Sequence, residues 1–224
     1  MNKKKIILFD IDYTLFDTTK YKKNIAKRIA SMIGNQQVDV VYEAIEEVSQ
    51  EVHRYGHFDP VRNAQLFIKK FPTRLSIEEI KEIWWQKDIL KESLYSETLN
   101  TLTELQQLEN TTLGVFSTGN SEFQRAKISS VEDLLHKNHI HIFSNKEENL
   151  AELMHDYCND ELYLVDDFVS LLAKAKMVNS SLFAIWIKRG KFAEHAQMPE
   201  GFFPDAKITN LQELLPIVDN LVVE

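Results

Sequence analysis

The chain has 224 residues, 44% hydrophobic and 10% aromatic. That suffices for one large domain, or for a core domain with an inserted one, and argues against global disorder. A formal charge of -8, from 26 basic and 34 acidic residues, argues against a nucleic-acid partner, which would need a basic footprint. The single cysteine, Cys158, rules out an internal disulfide framework and fits a reducing compartment.

The basic start, MNKKK, is followed by an apolar stretch of about four residues, too short for a signal peptide. No run approaches the roughly 18 apolar residues of a membrane span. The expectation is a cytoplasmic protein with no membrane partner. Residues 5–9 predict a strand that is apolar on both faces, as in parallel sheets. From about residue 17 to 95 the pattern is helical. Ile25, Ile29 and Met32 share one face, and Val38, Val41, Ile45, Val48 and Val52 share another. A short helix over 61–71 should end before Pro72, because the residue before proline avoids the α region. Ser76 and Glu79 form a capping-box pattern ahead of Ile80, Ile83 and Trp84.

After residue 95, strands and helices alternate. Leu99, Leu102 and Leu105 line a helix, and 112–116 is a strand. A helix follows from about 121 to 136, then a strand over 139–143. A helix carries Leu150, Leu153 and Met154 before a strand at 161–165. The next helix holds Leu171, Leu172 and Ala175, and 182–187 is the last predicted strand. A final helix carries Leu211, Leu214, Leu215 and Val218. This alternation implies an α/β, doubly wound and mostly parallel sheet. The helical block falls after the first strand, so it reads as an insertion: core 1–16 and 96–224, insertion 17–95.

Three apolar strands end in polar residues. The first ends in Asp10 and Asp12, with Thr14 two residues on. The second ends in Ser117, Thr118, Gly119 and Asn120, and the strand at 161–165 ends in Asp166 and Asp167. In open parallel sheets, ligands bind beyond the carboxyl ends of the strands. Four carboxylates gathered there repel, and some protonate unless a cation lies among them. An all-oxygen site of this kind suits Mg²⁺. A single aspartate at a strand end reads as a turn residue capping amides. Two at alternate positions before Thr14, with a second pair elsewhere, do not read so easily that way.

On these residues the sequence resembles the haloacid dehalogenase superfamily. FDIDYTLFDTT resembles its DxDxT signature, VFSTGN its strand-end Ser/Thr signature, and LYLVDD its closing acidic signature. AIWIKRG and KITNLQELLPIV resemble the family's last strand and last helix. The resemblance implies a Rossmann-like core with a helical cap. It also implies a Mg²⁺-dependent phosphomonoester hydrolase acting on a small phosphorylated metabolite. Asp10 would be the nucleophile and form an aspartyl-phosphate. Asp12 would protonate the leaving oxygen and then activate water. Mg²⁺ would sit on Asp10, the Asp12 carbonyl, Asp166 and Asp167. Ser117, with Thr14, Thr118, Gly119 and Asn120, would hold the phosphoryl group, and a lysine would offset its charge. Lys146 is preferred for that part over Lys127, since a mid-helix lysine is ordinarily solvated.

Three departures stand out. Tyr13 replaces the glycine most common in phosphatases of the family. Ser170 stands where many relatives have an acid, with Asp167 as its substitute. The loop of Lys146 lacks the usual proline. Dehalogenases of the family lack the second motif aspartate, which is present here as Asp12. Other readings are a non-catalytic ligand- or partner-binding relative and a phosphomutase. Within the insertion, His53, Arg54, His57 and Arg62 suggest an anion grip or, more simply, an exposed loop. Lys188 and Arg189 could face the crevice or lie in a solvated turn. His136, His139 and His141 read as structural rather than as a metal cluster.

Overall fold

The computed structural model describes residues 3–34, 37–55, 58–190, 193 and 195–219; the side chains of 53–55 also lie outside that description. Six strands form one all-parallel sheet in the order β3-β2-β1-β4-β5-β6. They are β1 (Lys5–Phe9), β2 (Thr111–Thr118), β3 (Ile140–Phe143), β4 (Glu161–Asp166), β5 (Phe183–Ile187) and β6 (Ala206–Ile208). From β1 the chain winds outward through β2 and β3 on one side, then returns to β4 and winds through β5 and β6 on the other. The strand order therefore reverses at β1, which places a ligand crevice beside its carboxyl end.

Ile6, Ile7, Leu8 and Phe9 are fully buried, as a central strand covered on both faces requires. Phe9 pairs with Val115 of β2 and Val165 of β4. The next residue, Asp10, is therefore level with Phe116 and Asp166, and its amide donates to the Val165 carbonyl at 2.9 Å.

Between β1 and β2 lie five helices: α1 (Thr18–Ile33), α2 (Val38–Tyr55), α3 (Pro60–Lys70), α4 (Ile77–Trp84) and α5 (Lys87–Glu92). Three of these starts have a side-chain cap. Asp17 caps α1 through the Lys20 amide, and Asp59 caps α3 ahead of Pro60. Ser76 and Glu79 close the expected capping box on α4. Val41, Ile45, Val48 and Val52 form the buried stripe of α2, and Ile25 and Ile29 that of α1. Met32 leaves the α1 stripe, being 38% exposed.

The two connectors into this block lie side by side. The Asp17 amide donates to Ser93 O at 2.7 Å, and the Tyr95 amide to Leu15 O at 3.1 Å. Phe16 and Leu94 form an isolated antiparallel bridge.

After α6 (Thr98–Gln106), the fully described helices are α7 (Ser121–Ile128), α8 (Leu150–Asp156), α9 (Val169–Val178) and α10 (Leu214–Val218). Leu99 is exposed on α6, whereas Leu102 and Leu105 are buried. The helix expected over 121–136 stops at Ile128. Val131 and Leu135 are buried from short 3₁₀ turns, and their spacing of four imitated a continuing helix. The last helix likewise begins as a 3₁₀ turn at Leu211–Glu213. Strand β6 was not expected, because three edge residues with a lysine in the middle carry no apolar run. No described helix is long and apolar enough to cross a membrane.

His139 and His141 both turn to one hydroxyl. His139 Nδ1 and His141 Nε2 lie 2.6 and 2.7 Å from Tyr157 Oη. A phenol can donate to one ring and accept from the other, so the trio is satisfied with both rings neutral. Burial, with Lys4 and the other histidines nearby, lowers His139 to about 4; burial also lowers His141 despite Asp156. A base with a depressed folded value favours unfolding once pH falls below its ordinary value near 6.5. The melting temperature should therefore decline from pH 6.5 toward 4, and His139→Gln should flatten that decline in a thermal melt series.

Candidate active site

The turn after β1 is closed by its own backbone. The Leu15 and Phe16 amides donate to Ile11 O at 3.0 and 2.9 Å, and the Tyr13 amide to Phe16 O at 2.8 Å. With those groups satisfied, the Asp10 and Asp12 carboxylates stand beyond the sheet edge, and both line one cavity of about 380 Å³. Ser117, Thr118, Gly119, Asn120, Lys146, Asp166 and Asp167 line it too. Thr14 does not: it is fully buried under the turn, with its hydroxyl unpaired.

Asp10, Asp166 and Asp167 are buried, and each offers a carboxylate oxygen within 4.8 Å of the others. Lys146 Nζ bridges Asp10 Oδ1 at 2.7 Å and Asp166 Oδ2 at 2.6 Å. Burial works against the Lys146 charge, but attraction by Asp10 and Asp166 outweighs it and holds the ammonium above its ordinary range. Burial pushes Asp10 up to about 6, with Lys146 opposing and Asp166 adding. Burial, then repulsion from Asp166 and Asp10, pushes Asp167 up to about 9. Asp167 Oδ2 is buried without a hydrogen-bond partner. An orphaned carboxylate oxygen beside two further carboxylates is what a hard divalent cation would satisfy, so these residues fit Mg²⁺.

Asp12 belongs to a different set of contacts. Lys127 Nζ lies 2.7 Å from both of its oxygens, Thr18 Oγ1 donates to Oδ1, and Gln124 Nε2 donates to Oδ2 at 2.9 Å. Burial alone would raise Asp12, but Lys127 and these hydrogen bonds overcome it and bring the carboxyl down to about 2. The Asp12 carboxylate is thus not part of the acidic cluster; a metal contact from this residue would have to come from its backbone carbonyl. Lys127, the lysine ranked second to Lys146 because a mid-helix position is ordinarily solvated, is buried. Gln124 also reaches Ser117 Oγ at 3.1 Å and Thr118 O at 2.9 Å, joining the ends of two strands. Thr18 and Gln124 were missed. The available signal was polar residues on the buried face of α7, where Phe123, Gln124, Lys127 and Ile128 share one side.

The other expected residues are placed by loop chemistry. Thr118 Oγ1 accepts from the Lys146 amide at 3.2 Å, tying the lysine loop to β2. Gly119 has φ +145° and donates its amide to Phe143 O at 2.8 Å. The Asn120 side chain caps α7 through the Phe123 amide at 2.9 Å. His53, Arg54 and His57 lie outside the described side chains, and Arg62 is exposed on α3. Arg189 turns from the crevice, with its guanidinium 2.8 Å from Glu97 and 4.0 Å above the Tyr95 ring.

Solved structures share this architecture. A haloacid dehalogenase-like hydrolase from Burkholderia xenovorans LB400 superposes with TM-score 0.74 at 18% identity, covering 99% of this chain and 100% of that one. The chain has the haloacid dehalogenase-like fold. YfnB, a Bacillus subtilis HAD-hydrolase solved with magnesium bound, gives 0.65 at 14% identity with 99% and 100% covered. The L-2-haloacid dehalogenase of Xanthobacter autotrophicus, solved with chloropropionic acid covalently bound, gives 0.66 at 12% with the same coverage. No family model and no curated protein matches the sequence.

Within this haloacid dehalogenase-like fold, Tyr13 explains its own departure. It has φ +59°, a left-handed conformation that glycine adopts freely and tyrosine adopts at a cost of about 1–2 kcal/mol. The side chain is 4% exposed and lines the cavity. Its ring lies against Gly190, where an added Cβ would come within 2.4 Å of the ring. Gly190→Ala should therefore lower stability by about 2–4 kcal/mol, combining overpacking with the left-handed φ. In the Tyr13→Gly background the same change should cost only about 1 kcal/mol, a coupling that denaturant melts of the four proteins would measure.

The carboxylate cluster yields a second prediction. Raised folded values favour the metal-free fold at low pH and lose that advantage as pH climbs from about 4 toward about 9. At pH 8 without metal, Asp167→Asn should melt no lower than the wild type. Saturating Mg²⁺ should then raise the wild-type melting temperature by about 5–10 °C and leave the variant nearly unmoved.

Proposed function

We propose that the protein is a Mg²⁺-dependent phosphomonoester hydrolase acting on a small molecule through an aspartyl-phosphate. One observation carries this reading: a buried nucleophile candidate, Asp10, shares Lys146 with Asp166 while a separately anchored carboxylate, Asp12, stands two residues away. Asp10 attacks phosphorus, the bond from phosphorus to the leaving oxygen breaks, and Asp12 supplies the proton to that oxygen. Asp12 then takes a proton from water, which attacks the same phosphorus and frees Asp10 and phosphate. Asp10, Asp166, Asp167 and the Asp12 carbonyl would hold Mg²⁺, which neutralises charge on the phosphoryl oxygens when bound. Ser117, Thr118, the amides around Gly119 and Asn120, and Lys146 are the phosphoryl-binding set. The helices between β1 and β2 act as the cap that excludes water.

Displacement of halide at carbon is the competing reading, since structural neighbours include dehalogenases. Halide leaves without a proton, so that chemistry has no use for Asp12 or for the three side chains that fix it. A phosphomutase differs only in passing the phosphoryl group to a second hydroxyl.

Activity should appear as phosphate released from an aryl phosphate in the presence of Mg²⁺ and vanish with EDTA. Asp10→Asn should lower kcat by a factor on the order of 10⁴ or more while the circular dichroism spectrum is kept. Undiminished turnover in that variant would refute the aspartyl-phosphate route. Chloride released from 2-chloropropionate, with no phosphate from any ester, would favour the dehalogenase reading.

A further inference from the structure

The cavity has two unlike halves. The core half carries the carboxylates, Lys127, Lys146 and the strand-end hydroxyls. The other half is walled by Ile25, Ile45, Val48, Phe58, Trp84 and Phe123. Phe58 stacks on Phe123 with ring centroids 4.0 Å apart and meets Trp84 edge-on at 5.4 Å, so this wall is aromatic and fixed. Tyr21 also lines it, but its hydroxyl is spent on Trp84 O at 2.8 Å, leaving the ring to the cavity. Among the described lining residues on this side, Lys22 is the one cation, and Glu46 holds it at 2.9 Å. Tyr13, Thr18, Ser49 and Asn63 are the other polar lining residues described there; all are uncharged, the Thr18 hydroxyl is given to Asp12, and Asn63 Oδ1 is buried without a partner.

On the phosphatase reading, on which this step rests, we infer that the substrate is a phosphate monoester of an uncharged, largely apolar alcohol or phenol. Among the described residues of this wall, Ser49 and Asn63 could pair with one or two hydroxyls, so a sugar or polyol body would strip several others of water without replacement. A second anionic group would meet a lysine already neutralised. A flat apolar body instead buries its surface against Phe58, Trp84 and Val48. The whole cavity, about 380 Å³ with its phosphoryl end included, holds about a dozen water-sized groups, which bounds the body to one or two rings or a short branched chain.

The test uses the full chain with Mg²⁺. Phosphate release is compared for 1-naphthyl phosphate, glucose 6-phosphate and glycerol 3-phosphate. Separately, binding of 1-naphthol and of glucose is measured by calorimetry, which needs no catalysis. The expected result is a kcat/KM at least about tenfold higher for the naphthyl ester, the scale on which apolar pockets discriminate. Naphthol should bind and glucose should not. Ser49→Trp, which fills the cap half, should weaken naphthol binding at least about tenfold while leaving a folded melt. Polar esters turned over as well as or better than the naphthyl ester would overturn the inference and leave the phosphatase reading standing. Absence of turnover with every ester, alongside naphthol binding that Ser49→Trp removes, would sink the phosphatase reading and keep the apolar subsite. Absence of naphthol binding to the wild type would overturn the subsite itself.

Discussion

Like charge crowded at the end of a parallel sheet is the constraint around which this molecule is arranged. Three buried carboxylates have oxygens within 4.8 Å of one another, and at an effective dielectric near 20 each such pair costs about 3 kcal/mol. Three pairs rival the whole stability of an ordinary domain. With Asp12 counted and all four carboxylates ionised, two buried lysines, Lys127 and Lys146, would leave two negative charges over. A divalent cation would cancel that remainder and let Asp167 ionise. The upward pressure on Asp10 and Asp167, and the unpaired Oδ2 of Asp167, are the same imbalance seen from individual groups.

The fold tolerates this because nothing in the crevice depends on one element alone. Lys146 comes from the loop after β3, yet it bridges the ends of β1 and β4. Gln124 comes from α7 and joins Asp12 to the end of β2. Thr18 is the first residue of α1 and donates to Asp12, so the first turn of the inserted helices is tied to the same carboxylate. The connectors on either side of the insertion are hydrogen-bonded to each other, from Asp17 to Ser93 and from Tyr95 to Leu15. Tyr13, on the same turn, rests on Gly190 beyond β5 and adds a second tie.

What could be read from sequence divides along physical lines. Strands buried on both faces announce themselves as apolar runs, and five of six were legible within a residue or two. Capping chemistry made the start of α4 legible at Ser76 and Glu79. The edge strand β6 was not, since an edge of three residues needs no apolar run. The strand-end acids were legible because charge at the end of an apolar strand is costly and needs a reason. Lys127 and Gln124 were not, since a side chain's pairing across 115 or 112 residues is a fact of tertiary packing. Mid-helix lysines are solvated as a rule. Here, however, Phe123 and Ile128 define a buried face on which Lys127 also lies. Tyr13 looked anomalous for the same reason: the glycine that accommodates its ring is 177 positions away, beyond β5.

Lys127 bears most directly on which chemistry the crevice suits. Held by two contacts of 2.7 Å, it keeps Asp12 ionised, which is the form a base needs and an acid lacks. On the proposed reaction, the incoming phosphoryl group carries two negative charges and competes with Asp12 for that same ammonium. A phosphoryl group sharing Lys127 would weaken the pairing that lowers Asp12 and set a new anion beside it, and both changes would favour its protonation from solvent before leaving-group departure. Once the leaving group has gone, Asp12 is again a carboxylate paired with Lys127, ready to accept a proton from water. A halide leaving group would make no demand for the proton. On the proposed reading, the pairing of Asp12 with Lys127 therefore serves a phosphate ester better than a halide.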